Sequence, residues 1–216
     1  KGVELFKWDE KKARSGKRVG TKVRGSGVAL SAYSAGSIGF DGLMIIRPDG
    51  RLAVQSGIGN LGTESTFDCH RVAAEILGIP WEKVDVTWGN TSKFVPNTCG
   101  QGGSQTTHAM TRAAHAAASD AKKKLQEIAA KTLGGNPESY QVANERVSSG
   151  GRSMTFAQAA QKAIELGGKY DGHELPNDVN NFTKTSATAL AGQGLMGVAR
   201  DNYGRDGTSK SYVAGF

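Results

Sequence analysis

The feature that most constrains this chain is a long run of small residues that starts at a glycine cluster and stops at another. From Gln105 to Leu133, Met110, Ala114, Ala117, Ala121, Leu125 and Ile128 recur with the period of one helical face, and Lys122, Lys123 and Gln126 fall outside it. The first half of this predicted helix is mostly Ala, Thr and Ser, so its backbone can lie close to a neighbouring element. Gly134-Gly135-Asn136-Pro137 ends it.

Shorter elements surround it. Leu43–Ile46 and Leu52–Val54 flank Arg47-Pro48-Asp49-Gly50-Arg51 and read as a β-hairpin. A helix follows from about Glu64 to Leu77, with Cys69, Val72, Ala73 and Ile76 on its apolar face, Thr63 as its cap, and Gly78 and Pro80 as its end. Val84–Trp88 alternates as a strand. A short strand near Val142–Val147 and a Gly150-Gly151 turn come next. A third helix is capped by Thr155 and Gln158, with Phe156, Ala159, Ala160 and Ala163 inward. Residues 168–210 read as irregular, and the chain ends in a strand-like Ser211–Phe216. The sum is an α+β fold with mixed or antiparallel strands and packed helices.

Two glycine segments can carry chemistry. Gly57-Ile58-Gly59-Asn60-Leu61-Gly62 lies between a strand and a helix and matches G-x-G-x-x-G, which brings backbone N–H groups to an anion at a helix N-terminus. Its alternatives are a tight structural turn and a Rossmann-like NAD-binding domain. The hairpin before it and the missing acid after Thr87-Trp88-Gly89-Asn90 weigh against NAD. Gly102-Gly103-Ser104-Gln105-Thr106-Thr107 opens the longest helix with hydroxyls and amides but no following Lys, so it is no Walker loop. A phosphate cradle and an elaborate cap led by Ser104 are equally open there. Together the two segments suggest paired clamps on one extended, anionic ligand.

The composition narrows the classes. The chain has 216 residues, enough for one sizeable domain or two small ones, and its 30 glycines are about twice the usual share without a collagen-like period. No apolar run reaches membrane-spanning length. Cys69 and Cys99 exclude a disulfide scaffold and, with no visible secretory signal, point to a reducing, cytoplasmic compartment. Most of the net charge of +7 comes from residues 1–24, a basic N-terminal arm. Such an arm can bind nucleic acid, but it lacks the interleaved aromatics of a stacking platform. A solvated linker and an arm lying on an acidic partner chain are the other readings. His108 and His115 are too widely spaced for a typical helical metal pair. Asp171-Gly172-His173-Glu174 offers acid and base residues without an evident partner, and Gly192-Gln193-Gly194 suits either a close-approach turn or a flexible loop.

The order of these parts resembles the molybdenum-cofactor-binding subunit of the xanthine dehydrogenase/aldehyde oxidase family. The resemblance rests on Ser56–Thr63, on Ala74-Glu75-Ile76-Leu77-Gly78-Ile79-Pro80, on Gly89-Asn90-Thr91, on Val95-Pro96-Asn97-Thr98, and on Gly102–Thr107 at the head of the small-residue helix. It implies that residues 25–216 are part of a molybdopterin-binding domain of xanthine dehydrogenase-like proteins. It implies that Gly59, Asn60, Leu61, Gly62 and Thr63 lie beside the metal and pterin, and that Gly102, Gly103, Ser104, Gln105, Thr106 and Thr107 hold the cofactor's phosphate or dinucleotide tail. The implied cofactor is molybdopterin with Mo or its cytosine dinucleotide form.

The resemblance also implies a molybdenum hydroxylase that oxidises a C–H bond of an aldehyde, N-heterocycle or related small molecule with water-derived oxygen. Electrons would pass to Fe–S clusters, and in some assemblies FAD, on partner chains. Thr63 stands where many members carry Gln, and Gln105 where many carry Arg. The segment with the family's catalytic Glu has no match here, so no catalytic residue or metal ligand is assigned, and the rest of the molybdenum subunit is expected as a partner. The competing expectations are a cofactor-free structural or nucleic-acid-binding relative and the NAD-binding domain.

Overall fold

The computed structural model describes residues 1–34, 39–90, 92–98, 100–201 and 210–215. Cys99 and Thr91 therefore lie outside the described residues. The chain divides into two compact units, residues 1–35 with 205–216, and residues 36–204.

The first unit opens with two short helices, α1 (Gly2–Phe6) and α2 (Trp8–Arg14), joined at a left-handed Lys7. A small antiparallel ribbon follows, β1 (Arg18–Val19) with β2 (Lys22–Val23). Then β3 (Ala29–Ser34) pairs antiparallel with β11 (Lys210–Gly215), Ala29 opposite Gly215, so the expected terminal strand is present.

The second unit is built on a sheet of β4 (Asp41–Ile46), β5 (Leu52–Gln55), β6 (Val84–Thr87) and β10 (Leu195–Arg200), in the order β10-β4-β5-β6. The predicted hairpin is β4–β5, closed by Arg47 N donating to Arg51 O at 2.9 Å. Its second strand has another neighbour: β5 also pairs parallel with β6, through the crossover helix α3 (Ser65–Leu77). Half of a tight hairpin thus also begins a βαβ unit. Every residue of β4 and β5 is buried, because the sheet is covered on both faces. Met44, Ile46, Leu52 and Val54 point to a core shared with α3, α4 (Thr106–Leu133) and α5 (Phe156–Leu166), whereas Leu43, Ile45 and Ala53 pack with Val179, Ala187, Met196 and Val198. Two-sided burial explains the continuous apolar run in β4 where a half-exposed strand would alternate.

The second cover corrects the expected irregularity of 168–210. This stretch contains α6 (Asn181–Leu190), capped by the Asn180 side chain accepting from Phe182 N, and the edge strand β10. The sequence signal of α6 is weak because its buried positions are Thr183, Ser186 and Ala187. The single strand expected at 142–147 is instead a hairpin, β7 (Gln141–Ala143) and β8 (Arg146–Ser149), turning at left-handed Asn144 and Glu145. Glu is an unusual residue for that conformation, which hides the turn. β9 (Arg152–Thr155) follows the Gly150-Gly151 turn and leads into α5 through the predicted capping box.

Helix α4 does lie close to the sheet. A Cβ on Gly42 would collide with the carbonyl of Ala113, and one on Gly197 would sit 2.5 Å from the Ala117 carbonyl. Gly194 likewise backs onto the Ile46 carbonyl, the close approach expected at Gly192-Gln193-Gly194. The helix also finishes the sheet edge. Lys124 is buried, and its Nζ donates to Asp120 Oδ2 at 2.6 Å and to Met196 O at 2.9 Å, while Asp120 Oδ2 accepts from Val198 N at 3.0 Å. The edge groups of β10 are thus satisfied by side chains of α4, which leaves less backbone free to pair with another strand. Lys124→Ala is expected to lower the unfolding free energy by about 3 kcal/mol, because Asp120 keeps its charge and loses its cation; urea denaturation measures this.

Candidate functional site

The structure brings the two glycine segments together. The side chain of Gln101 reaches across to Gly59, its Oε1 accepting from Gly59 N at 2.7 Å and its Nε2 donating to Gly59 O at 2.9 Å. This double bond pattern mimics one rung of a β-ladder. Gly57 sits against residues 96–98, where a Cβ would lie 2.5 Å from the Pro96 carbonyl and 2.7 Å from Thr98 Oγ1. The 95–98 stretch is held in turn from the far side of the sheet. Thr183 Oγ1 donates to the buried carboxylate of Asp41 at 2.6 Å and accepts from Asn97 N at 2.9 Å, and Ser186 Oγ donates to Val95 O at 2.7 Å. The overlooked helix α6 therefore fixes the loop that supports the first glycine segment.

Each expected residue has a defined place. The N–H and C=O of Gly59 are engaged by Gln101, so this glycine acts as the joint of the two segments. Asn60 makes a local turn, Oδ1 accepting from Gly62 N at 2.8 Å and Nδ2 donating to Glu64 at 3.1 Å. Leu61, Gly62 and Thr63 are exposed, and Gly62 is left-handed. Thr63 does not cap α3. The capping position falls on Glu64, itself left-handed, and Thr63 Oγ1 pairs with Ser65 Oγ at 2.8 Å.

In the second segment Gly102, Gly103 and Ser104 are exposed, with Gly103 and Ser104 left-handed. Gln105 is buried and turned inward, its Nε2 donating to Gly100 O at 2.7 Å. It holds the loop's shape and does not cap α4 with its side chain. Thr106 is half-buried. Thr107, with Thr111, lies within hydrogen-bonding reach of the Cys69 thiol, whose pKa is pushed up by burial and pulled back by these hydroxyls. Cys69 is a core residue, as expected, packed with Phe40, Ile58 and Met110.

The donor set suits a phosphate-bearing pterin. A Cβ on Gly62, Gly100 or Gly102 would meet nothing within 4 Å, so the backbone is open at these points. An α-helix offers its first N–H groups no acceptor of its own, and its dipole is positive at that end. Apart from its glycines the second segment is made of hydroxyl and amide residues, and Glu64, which follows the first segment, is bonded to Asn60.

One residue of this region escaped the sequence reading. His70 in α3 is fully buried, and among the described residues neither ring nitrogen has a hydrogen-bond partner, nor do Thr66 Oγ1, one turn earlier, and Ser56 Oγ. Burial pushes the His70 pKa down to about 4 from an ordinary 6.5. The helical stripe could have flagged it, since 66, 69, 70 and 73 share the inward face. Because its folded pKa lies below the unfolded one, the stability contribution is complete above pH 6.5 and is lost as pH falls toward 4, a loss of about 3 kcal/mol. Chemical denaturation between pH 7 and 4 should show this slope in the native chain and not in His70→Leu.

The other candidates stay apart from the site. His108 and His115 are exposed on α4. Asp171 is buried and holds His173 Nδ1 at 2.8 Å. Among the described residues no cluster of His, Cys, Asp and Glu could hold a metal ion, and no helix is long and apolar enough to cross a membrane.

The two glycine-opened helix ends are thus clasped together on a mixed sheet. The chain belongs to the molybdopterin cofactor-binding domain family, whose profile matches residues 1–202. It is 27% identical over 201 residues to the aldehyde oxidoreductase molybdenum-binding subunit PaoC of Escherichia coli K12, covering 89% of this chain and 26% of that subunit. It is also 27% identical over 138 residues to the putative xanthine dehydrogenase molybdenum-binding subunit XdhA of the same strain, covering 62% of this chain and 18% of the subunit. Among solved structures, reconstituted CO dehydrogenase from Oligotropha carboxidovorans shares the fold with a TM-score of 0.59 at 20% identity, over 86% of this chain and 22% of that one. The chain thus spans about a quarter of the length of the PaoC subunit.

Proposed function

We propose that this chain holds a molybdopterin cofactor between its two glycine segments, as one portion of a molybdenum hydroxylase. The observation that carries the reading is the Gln101–Gly59 clasp, which makes one site of two separate motifs. In this reading Asn60, Leu61, Gly62 and Thr63 face the pterin and metal, and Gly59 sets their position through the clasp. Gly102, Gly103, Ser104, Thr106 and Thr107 receive the phosphate or cytosine dinucleotide tail at the start of α4, and Gln105 keeps that loop in shape. When bound, the molybdenum centre supplies the two-electron redox chemistry that hydroxylates a C–H bond of an aldehyde, N-heterocycle or similar small molecule. The chain's own contribution is to bind and orient. The neutral donors hold an anionic tail without the cost of a buried charge, and the rigid α4–sheet contact fixes the two helix ends relative to each other.

Thr63 is too short for the contact a Gln would make, and we assign no catalytic base to this chain. The rest of the molybdenum subunit, an Fe–S chain and in some assemblies a flavin chain would complete the enzyme. Residues 1–24 would precede the cofactor domain as a basic arm. The test is elemental analysis of the natively purified assembly. Near-stoichiometric molybdenum per copy of this chain is expected. An intact assembly without molybdenum would replace this reading with that of a cofactor-free relative.

A further inference from the structure

We propose that the first unit carries a docking cleft for an acidic protein segment of another chain. Lys11, Arg14, Lys17, Lys22 and Arg24 line a single cleft of about 530 Å³, with Phe6 and Val19 among its walls. The cleft lies between α2 and the β1–β2 ribbon, and hydrogen bonds pull its sides together. Gly16 N donates to Arg24 O at 2.9 Å, Lys17 N to Arg14 O at 3.2 Å, and Ser26 N to Ser15 Oγ at 2.9 Å. Cations from separate stretches of chain are thereby made to face one space.

The cleft lacks its countercharge. Among the described residues no carboxylate lines it, and none of the lining cations makes an ion pair. Lys11 has a π partner, its Nζ lying 3.7 Å from the centroid of Phe6. A concave surface with one sign of charge focuses its field and attracts the opposite sign.

The chemistry favours a protein over a nucleic acid. One face of Phe6 is taken by Lys11, and the ring stacks against Trp8 at 6.5 Å, so the cleft offers no free ring to a base. Val19 is 79% exposed in the cleft wall, opposite Lys22 in the ribbon register, and Val23 is exposed beside it. Aliphatic surface interleaved with cations matches a segment in which Asp or Glu alternates with aliphatic side chains.

Fluorescence anisotropy on the full chain tests this. The probes are a short labelled Glu-Glu-Leu repeat peptide and a labelled oligothymidylate of equal net charge. Saturable peptide binding, tighter than that of the oligonucleotide, is expected. The variant K17E/K22E/R24E should weaken it by roughly tenfold or more, and the neutral K17Q/K22Q should weaken it less. K122E/K123E, on the exposed side of α4, should leave it unchanged. Circular dichroism confirms that each variant is folded. Oligonucleotide binding as tight as the peptide's would make the cleft a nucleic-acid site and overturn the proposal. Absent peptide binding, or binding indifferent to the cleft substitutions, would overturn it as well.

Discussion

Replacing Gly42 by alanine is expected to destabilise the second unit by about 3 kcal/mol or more, a large share of what a domain of this size possesses. The added methyl would run into the backbone carbonyl of Ala113 and lie 2.8 Å from the Ala117 Cβ. A side chain in that position could rotate away, but a helix carbonyl cannot. Helix α4 would have to lift from the sheet, and the contact it makes through Ala113, Ala117 and Ala121 would open along its length. The same lift would disturb the α4 N-terminus, where the second glycine segment sits. The matched control is Gly100→Ala, where a Cβ meets nothing within 4 Å and no left-handed backbone is required; it should leave stability unchanged. Thermal and urea unfolding of the two variants separate close packing from a general dislike of losing glycine. Equal stability of Gly42→Ala and the native chain would mean that α4 does not seat on the strand as described.

Gly103→Trp is expected to abolish cofactor retention while leaving the chain folded. Gly103 is exposed and left-handed, so a side chain there costs about 1 kcal/mol of backbone strain. The indole would project from the one stretch where the backbone must stay open for a phosphate to approach the helix end. Molybdenum and pterin content, normalised to this chain in the purified assembly, is the readout, with the unfolding midpoint as the check on folding. Cofactor content equal to that of the native assembly would remove Gly102–Thr107 from the binding site. The clasp offers a graded companion, since Gln101→Ala frees Gly59 without adding bulk and should lower retention only in part.

Much of the framework was legible in the sequence. The small-residue stripe of α4, the hairpin turn at Pro48-Asp49-Gly50 and the Thr155/Gln158 capping box are local signals, and local chemistry was enough for them. The two glycine segments were legible as pieces for the same reason: glycine before a helix marks a place where backbone must come close to something. What that something is differs from one glycine to the next. Gly57 meets the chain's own Pro96 and Thr98, Gly59 is taken by Gln101, and a Cβ on Gly62, Gly100 or Gly102 meets nothing within 4 Å among the described residues. No spacing rule separates these cases, because the partner lies far along the chain.

The least legible parts were those held by tertiary contact. Helix α6 buries Thr183 and Ser186 where a helix normally buries aliphatic residues, because its inward face bonds to Asp41 and to the 95–98 loop. Lys124 reads as a solvated charge and is buried, because an unpaired strand edge needed a donor. His70 sits in a core that gives it no partner among the described residues. By itself the sequence determined helices α3, α4 and α5, the β4–β5 hairpin, the family resemblance and the two candidate segments, since each follows from residues near one another in the chain. Only the tertiary structure decided which glycines face outward, what joins the two segments, and where the charge of the N-terminal region gathers. Those depend on partners brought together by folding, and hydrogen bonds and close packing act only between groups that touch.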